Sequence, residues 1–249
     1  MSTHIHTEAD LDRGIAALIA LDPRFAAVLE RSGRPPLRRR EGGYAGLAQI
    51  IVSQQVSVAS AAAIYGRLVA IADPFDHASV LCARKDKLLR VGLSNAKIKT
   101  LKEIARAIEK RHIDLDALAD SPADDAHALL TQLHGIGPWT ADIYLLACLG
   151  HADAWPAGDL ALQEAARVAF GLRARPTTKE MGPLAEGWRP WRAIAARLLW
   201  TYYRAVKNRE GVLLQTVTPA AKCSNKETRQ EWLNSTVRGS RRRAAPRAN

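Results

Sequence analysis

A tight turn between two helical patterns constrains this chain more than any other feature. Gly135 and Gly137 flank Ile136, and Pro138 follows directly. Glycine tolerates the backbone of a tight turn and leaves the N–H groups uncovered. Proline suits the first position of a helix, where no N–H partner is needed. The segment therefore predicts a hairpin of two helices, and the N-terminus of the second helix is suited to bind an anion such as a phosphate.

Helical periodicity extends along most of the chain, and strand signals are nearly absent. The apolar spacing predicts about ten helices, without internal repeats. Prolines in residues 33–40 exclude a helix interior there and predict a basic linker. The fold class is therefore expected to be all-α, with no β domain. The expected helices cover residues 9–31 with a break at Pro23, 44–53, 57–71, 95–111, 122–133, 139–149, 159–170, 179–186 and 191–206, with shorter pieces through residue 89.

The composition excludes several classes of protein. A chain of 249 residues with 47% apolar content can bury a core without metal or disulfide support. Three widely separated cysteines, Cys82, Cys148 and Cys223, argue against a disulfide framework or a zinc site. No apolar run approaches the roughly 18 residues of a membrane helix, and the N-terminus lacks the pattern of a signal peptide. We expect a monomer that is cytoplasmic, nucleoid-associated if bacterial, and neither secreted nor bound to a membrane.

The net charge of +11 indicates a polyanionic partner, because basic side chains that neutralise phosphates release counterions. More than half of this charge lies near the C-terminus. Residues 222–249 contain eight basic and two acidic residues, and their composition predicts disorder from about residue 222. The rest of the chain is only moderately basic.

A second informative segment ends a Gly- and Pro-rich loop with an acid. Residues 155–158 lead to Asp159, and a helical pattern starts with Leu160. The helix dipole and free backbone donors at such a position favour a carboxylate. From local sequence alone, Asp159 is equally an ordinary helix N-cap.

Together, the hairpin pattern L-x-G-[IV]-G-x-x-T-A and the downstream aspartate resemble the helix-hairpin-helix (HhH-GPD) DNA glycosylase superfamily. Over residues 44–203 the chain is most similar to the alkylated-purine enzymes of the 3-methyladenine DNA glycosylase II type. The resemblance implies two helical lobes around a central cleft. Residues 1–43 would pack on the C-terminal lobe, 44–205 would form the glycosylase core, and 206–249 would be a C-terminal extension.

The resemblance also implies the chemistry. Asp159 would be the catalytic residue, since a fixed carboxylate stabilises the oxocarbenium-like sugar as the base departs; it would also orient or deprotonate the attacking water. Trp139 stands where bifunctional members carry a Schiff-base lysine, so we expect a monofunctional hydrolase that uses water. The iron–sulfur members need four clustered cysteines, so no such cluster is expected, and no cofactor is required.

A base-binding pocket is implied around the catalytic acid. Trp139 and Trp200 would face a cationic methylated purine, which an aromatic face attracts by roughly 0.5–2 kcal/mol. Tyr202 would join them. Ile143 stands where a relative has a pocket tyrosine, which leaves the range of lesions open. The alternative is that both tryptophans are core residues.

Extrusion of a nucleotide from the duplex requires a residue to fill the gap. Residues 51–57 resemble the superfamily's wedge loop, with Gln55 as the plug and Gln54 and Ser57 in support. The alternative is a polar loop whose glutamines cap helix ends.

The hairpin would bind DNA through the backbone N–H groups of Gly135, Gly137 and Trp139, and Thr140 would contact the DNA as well. In the family a monovalent cation, sodium or potassium, often binds main-chain carbonyls of this turn. The matching carbonyls here are those of Thr131, Leu133 and Ile136. Further expectations concern five side chains: Lys97, Lys99 and Arg192 on the DNA face, Asp142 on the helix surface, and Asp153 as an acid that orders a loop.

We therefore expect a monofunctional DNA N-glycosylase of base excision repair that flips alkylated purines, such as 3-methyladenine or 7-methylguanine, out of double-stranded DNA. Two alternatives stay open. One is a superfamily member that acts on a deaminated or oxidised base. The other is a non-catalytic DNA-binding module, which leaves Asp159 and the two tryptophans unexplained. A role of the basic tail in RNA or protein contacts is supported by charge alone.

Overall fold

The computed structural model describes residues 4–207. Within this range the fold is all-α, as expected, and the extended pairing is limited to an isolated bridge between His4 and His151. The helices are α1 (Glu8–Leu21), α2 (Arg24–Ser32), α3 (Gly43–Ser53), α4 (Val58–Ile71), α5 (His77–Cys82), α6 (Lys85–Arg90), α7 (Asn95–Glu109), α8 (Ala123–Thr131), α9 (Pro138–Tyr144), α10 (Leu160–Ala169), α11 (Thr178–Glu186) and α12 (Arg192–Lys207). A 3₁₀ turn covers Ala117–Asp120, and a π-helical turn, Leu145–Leu149, extends α9.

Polar side chains fix where several helices begin. The side chains of Ser57, Asp76 and Ser94 each accept a hydrogen bond from the backbone N–H three residues later. Such N-caps satisfy a donor that the first helical turn leaves without a partner. Thr7 and Thr177 form capping boxes with an acid three residues on. These short-range bonds explain why the helix starts follow so closely from the sequence.

The helices pack in two groups. In one, α3 contacts α4, α7 and α9, while α5 and α6 pack on α7, and α8 packs on α9. In the other, α12 packs against α1, α2 and α10. Gly14 permits the close approach of α1 to α12, since a Cβ atom there would lie 2.8 Å from Ile194 Cγ1. The chain's N-terminal helices thus lie beside its last described helix.

The basic linker is bound to the end of α9 and its π-helical extension. Arg39 donates to the carbonyl of Cys148 at 2.8 Å, and the backbone N–H of Arg40 donates to that of Ala147. The buried guanidinium of Arg197 bonds the carbonyls of Leu146 and, from the linker, Leu37. Cations and donors at a helix C-terminus stabilise its last carbonyls. The linker therefore binds the π-helical turn that extends α9, the helix that follows the hairpin.

Two further expectations concern the C-terminal residues and membrane-spanning helices. The predicted disorder from residue 222 lies outside the described residues, as does Cys223. None of the helices within residues 4–207 combines the length and apolarity that a membrane span requires.

Candidate active site and DNA interface

The loop before α10 is held by backbone and side-chain bonds. The N–H of Asp159 donates to the carbonyl of Pro156 at 2.9 Å. Trp155 is buried, and its indole N–H donates to the carbonyl of Met181 in α11 at 3.0 Å. The loop is thus anchored on a neighbouring helix, so the position of Asp159 is fixed by the fold.

The carboxylate of Asp159 accepts three N–H hydrogen bonds. Its Oδ1 accepts from the backbone N–H of Leu162 at 2.9 Å and from the indole N–H of Trp200 at 3.1 Å. Its Oδ2 accepts from the indole N–H of Trp139 at 3.1 Å. Asp159 is therefore the N-cap of α10, and it also joins the two helix groups, because Trp139 belongs to α9 and Trp200 to α12.

This arrangement suits the stabilisation of a nearby positive charge. The side chain of Asp159 is oriented by fixed donors and is only 6% exposed, so little reorganisation is needed when charge develops close by. Trp139 is half-buried beside it. The sequence placed both tryptophans near the acid but did not predict that their N–H groups bind it.

The expected pocket residues other than Trp139 are buried, and Trp200 itself is 5% exposed. Ile143 is 0% exposed, so it presents no surface to a ligand in this structure. Tyr202 lies two positions after Trp200, about 200° around the helix. It is buried, and the guanidinium of Arg31 in α2 lies 5.9 Å from its ring centroid. Tyr202 therefore contacts α2, and its expected role in binding the base stays a prediction.

The two hairpin glycines differ in what requires them. Gly135 has a φ of 80°, and a Cβ atom there would lie 2.1 Å from Thr100 Oγ1 on α7. Gly137 has a φ of −88° as the N-cap of α9, and a Cβ atom there would meet no atom of the described part of the chain within 4 Å. Packing thus requires glycine at 135, whereas the face of Gly137 is open to an approaching ligand.

The expected cation site consists of carbonyls at the same turn. The N–H of Ile136 donates to the carbonyl of Leu133 at 3.1 Å and closes the turn. A carbonyl oxygen has a second lone pair for a cation. Thr131, the last residue of α8, turns its hydroxyl back to the carbonyl of His127. Binding of a monovalent ion by these carbonyls stays a prediction.

The expected wedge loop lies between α3 and α4. Gln55 is exposed and has a φ of 56°, a conformation that few residues other than glycine adopt. Ser57 is the N-cap of α4. The side-chain N–H of Gln54 donates to the hydroxyl of Thr140 at 2.9 Å. Thr140 is 3% exposed, so its side chain supports Gln54, and its expected contact with DNA stays a prediction.

The structure corrects two expectations for charged side chains. Arg192 was expected on the DNA face, but it is 8% exposed and pairs with Asp153 at 2.7 Å. Asp142 was expected on the helix surface, but its side chain is 13% exposed and lies 3.8 Å from His127 Nε2 on α8. Burial raises the pKa of Asp142 to about 8. Asp153 orders its loop as expected, by pairing with Arg189 and Arg192.

Lys97 and Lys99, both on α7, have different roles. Lys99 is exposed, whereas the Lys97 ammonium bonds the carbonyls of Val52 and Gln54. Sequence reasoning missed this cap. A lysine in the first turn of a helix meets an unfavourable dipole, and that conflict is the signal that could have indicated a partner for it.

Comparisons with known proteins agree with this geometry. The profile of the family described as "HhH-GPD superfamily base excision DNA repair protein" matches residues 48–190. The chain is 29% identical over 205 residues to a probable bifunctional transcriptional activator/DNA repair enzyme AlkA of Mycobacterium tuberculosis; the match covers 77% of this chain and 40% of that protein. It is 24% identical over 200 residues to the alkylbase DNA glycosidase-like protein mag2 of Schizosaccharomyces pombe, covering 78% of this chain and 94% of that one.

The fold is also similar to those of two solved structures. The fold matches a DNA-3-methyladenine glycosidase from Bacillus halodurans with a TM-score of 0.72 and 25% identity, over 79% of this chain and 92% of that one. It matches the S. pombe 3-methyladenine DNA glycosylase Mag1, solved in complex with abasic DNA, with a TM-score of 0.67 and 25% identity, over 78% and 97% of the two chains.

Proposed function

Since the chain belongs to the HhH-GPD superfamily of base excision DNA repair proteins, we propose that it is a monofunctional DNA N-glycosylase that removes alkylated purines from double-stranded DNA. The observation that carries the proposal is the Asp159 carboxylate, held by two indole N–H groups and a helix N-terminus. The names of similar proteins, which refer to alkylbases and 3-methyladenine, support the substrate class. We propose 3-methyladenine and 7-methylguanine as its substrates.

The reaction breaks the bond between the purine nitrogen and C1′ of the sugar. The bonding electrons leave with the base, and positive charge grows on the sugar ring. Asp159 stabilises that charge more in the transition state than in the ground state. The oxygen of a water molecule then bonds to C1′ and loses a proton, leaving free base and an abasic site. Because Trp139 provides no amine, the strand stays intact.

Recognition of the lesion rests on charge. Purines methylated at ring nitrogens carry a positive charge, and the aromatic rings next to Asp159 attract a cation. The half-buried Trp139 is the side chain we assign to this contact.

Binding of the duplex rests on two elements. The open face at Gly137 admits a phosphate to the N–H groups at the start of α9. Gln55 fills the space that the extruded nucleotide leaves. We further propose that sodium or potassium binds the hairpin carbonyls, and that the protein acts as a monomer in the compartment that holds the DNA.

The test uses duplex DNA that carries methylated purines and compares the wild type with Asp159→Asn. Asparagine is as good an N-cap as aspartate, so the variant keeps the start of α10 and loses the charge. We expect free methylpurine and abasic sites from the wild type, with strands intact until alkali is added. The variant should be slower by about 100-fold or more.

Other results would redirect the proposal. Equal release by the variant contradicts the role of Asp159. Release of a deaminated or oxidised base in place of methylpurines, from a panel of damaged duplexes, contradicts the substrate class. Tight DNA binding without release of any base indicates a binding module.

A further inference from the structure

The loop that carries Gln55 has a backbone that needs support. A left-handed conformation is unfavourable for a residue with a Cβ, and Gln55 adopts it with a φ of 56°. The side chain is exposed, so its own contacts do not hold it in place. The neighbouring residues must therefore fix the direction in which it points.

Lys97 provides such support from α7. Its Nζ donates to the carbonyls of Val52 and Gln54, at 2.8 Å each. Both carbonyls lie at the C-terminal end of α3, where helix carbonyls lack intrahelical partners. One ammonium thus caps α3 and holds the residue directly before Gln55.

The same helix also contacts the hairpin. One turn after Lys97, Thr100 packs against Gly135, where a Cβ atom would overlap its hydroxyl. The side chain of Gln54 bonds Thr140 at the start of α9. The loop and the hairpin are therefore held at a fixed separation by α7 and by one direct hydrogen bond.

We propose that Lys97 is a positioning residue for base extrusion, which acts through Gln55 by holding the wedge loop in register with the hairpin. This inference rests on the proposed function, because Gln55 acts as a plug only where a nucleotide leaves a duplex. An enzyme without this cap grips the phosphates normally and directs its plug poorly. The loss of rate is then expected only for bases stacked in a duplex, because a base that is already unpaired needs little or no help to leave the helix.

The test compares methylpurine release from two substrates, a fully paired duplex and the same lesion in a single-nucleotide bulge. For Lys97→Met we expect the duplex rate to fall about 10-fold, the effect of losing charged hydrogen bonds, and the bulge rate to stay within about 2-fold. Lys97→Arg, which retains the charge and the donors, should recover most of the duplex rate.

Lys102 is a matched control on the same helix. Its Nζ donates to the carbonyls of Leu81 and Ala83, at 3.0 and 2.7 Å, and so caps the end of α5 in the same way. Lys102→Met removes an equivalent pair of bonds away from the wedge loop. It should leave the ratio of the duplex rate to the bulge rate unchanged.

The results separate failure of this inference from failure of the proposed function. The inference is overturned, while the proposed function stands, if Lys97→Met slows release from the duplex and from the bulge by the same factor. It is likewise overturned if both rates stay at their wild-type values. Absence of release by the wild type overturns the proposed function and this inference with it. If Lys97→Met melts below the assay temperature, Gln54→Met cuts the bond to Thr140, leaves Lys97 in place, and must show the same selective loss on the duplex.

Discussion

Gly137 offers a direct test of the hairpin, because nothing within residues 4–207 requires a glycine there. Its φ of −88° is open to every residue type, and a Cβ atom would meet no neighbour within 4 Å. Replacing glycine by alanine lowers the entropy of the unfolded chain, which stabilises by about 0.4–1 kcal/mol. Alanine is also a poorer N-cap, by roughly 0.5–1 kcal/mol. These terms nearly cancel, so the free energy of unfolding should change by less than about 0.5 kcal/mol.

DNA affinity should change much more than stability. The added methyl group of Gly137→Ala stands where we propose that a phosphate reaches the N–H groups at the start of α9. A hydrogen bond to a charged group contributes about 1.5–3 kcal/mol. Loss of one such bond weakens binding by about 10- to 100-fold.

The assay is fluorescence anisotropy on an undamaged duplex at fixed salt, paired with thermal unfolding. Gly135→Ala is the contrasting variant. Its left-handed φ costs about 1–2 kcal/mol, and the new Cβ overlaps Thr100, so both stability and binding should fall. Wild-type affinity for a normally folded Gly137→Ala protein would refute the idea that phosphate approaches this face.

The remaining predictions concern the two buried acids. Trp139→Phe keeps an aromatic ring but removes the donor to Asp159 Oδ2, so we expect base release to slow by about 10-fold with unchanged binding of undamaged DNA; an unchanged rate contradicts this. Asp142 has a pKa of about 8 when folded, above its ordinary 3.8, so the folded protein binds an extra proton between these pH values. Stability therefore falls as pH rises through this window, by up to about 1.4 kcal/mol per pH unit. Asp142→Asn should lessen that fall in thermal unfolding from pH 5 to 8, and equal slopes contradict the assignment.

Much of the fold follows from the sequence because helix starts are local. The N-caps Ser57 and Ser94 lie within three residues of the donors they satisfy, and the prolines of residues 33–40 exclude a helix there. The same reasoning identifies Asp159 as a cap. Local sequence does not predict the indole donors, because they lie 20 and 41 residues from Asp159 in the sequence. Their contact with the acid depends on how α9 and α12 pack.

The wrong predictions share a physical cause. Asp142 and Arg192 are polar, and polar residues are mostly exposed. Helix periodicity indicates which residues share a face but not what covers the opposite face. Here α8 covers the Asp142 side of α9, and an ion pair with Asp153 compensates the buried charge of Arg192. Tyr202 is a related case, since all of the first eleven residues of α12 are buried and helix periodicity does not indicate which of them line a pocket.

The two carboxylate oxygens of Asp159 accept different hydrogen bonds, and this difference indicates which oxygen is held by the fold and which can take part in the reaction. Among the described residues, Oδ1 accepts from Leu162 and Trp200, whereas Oδ2 accepts from Trp139 alone. A carboxylate oxygen has about two acceptor sites, so Oδ2 keeps capacity for a water or a developing charge. In Asp159→Asn, the amide oxygen would take the Oδ1 bonds and the NH₂ group would face the indole donor. That variant therefore loses the negative charge and the Trp139 bond together. Comparison with Trp139→Phe, which loses the bond alone, separates the contribution of charge from that of orientation.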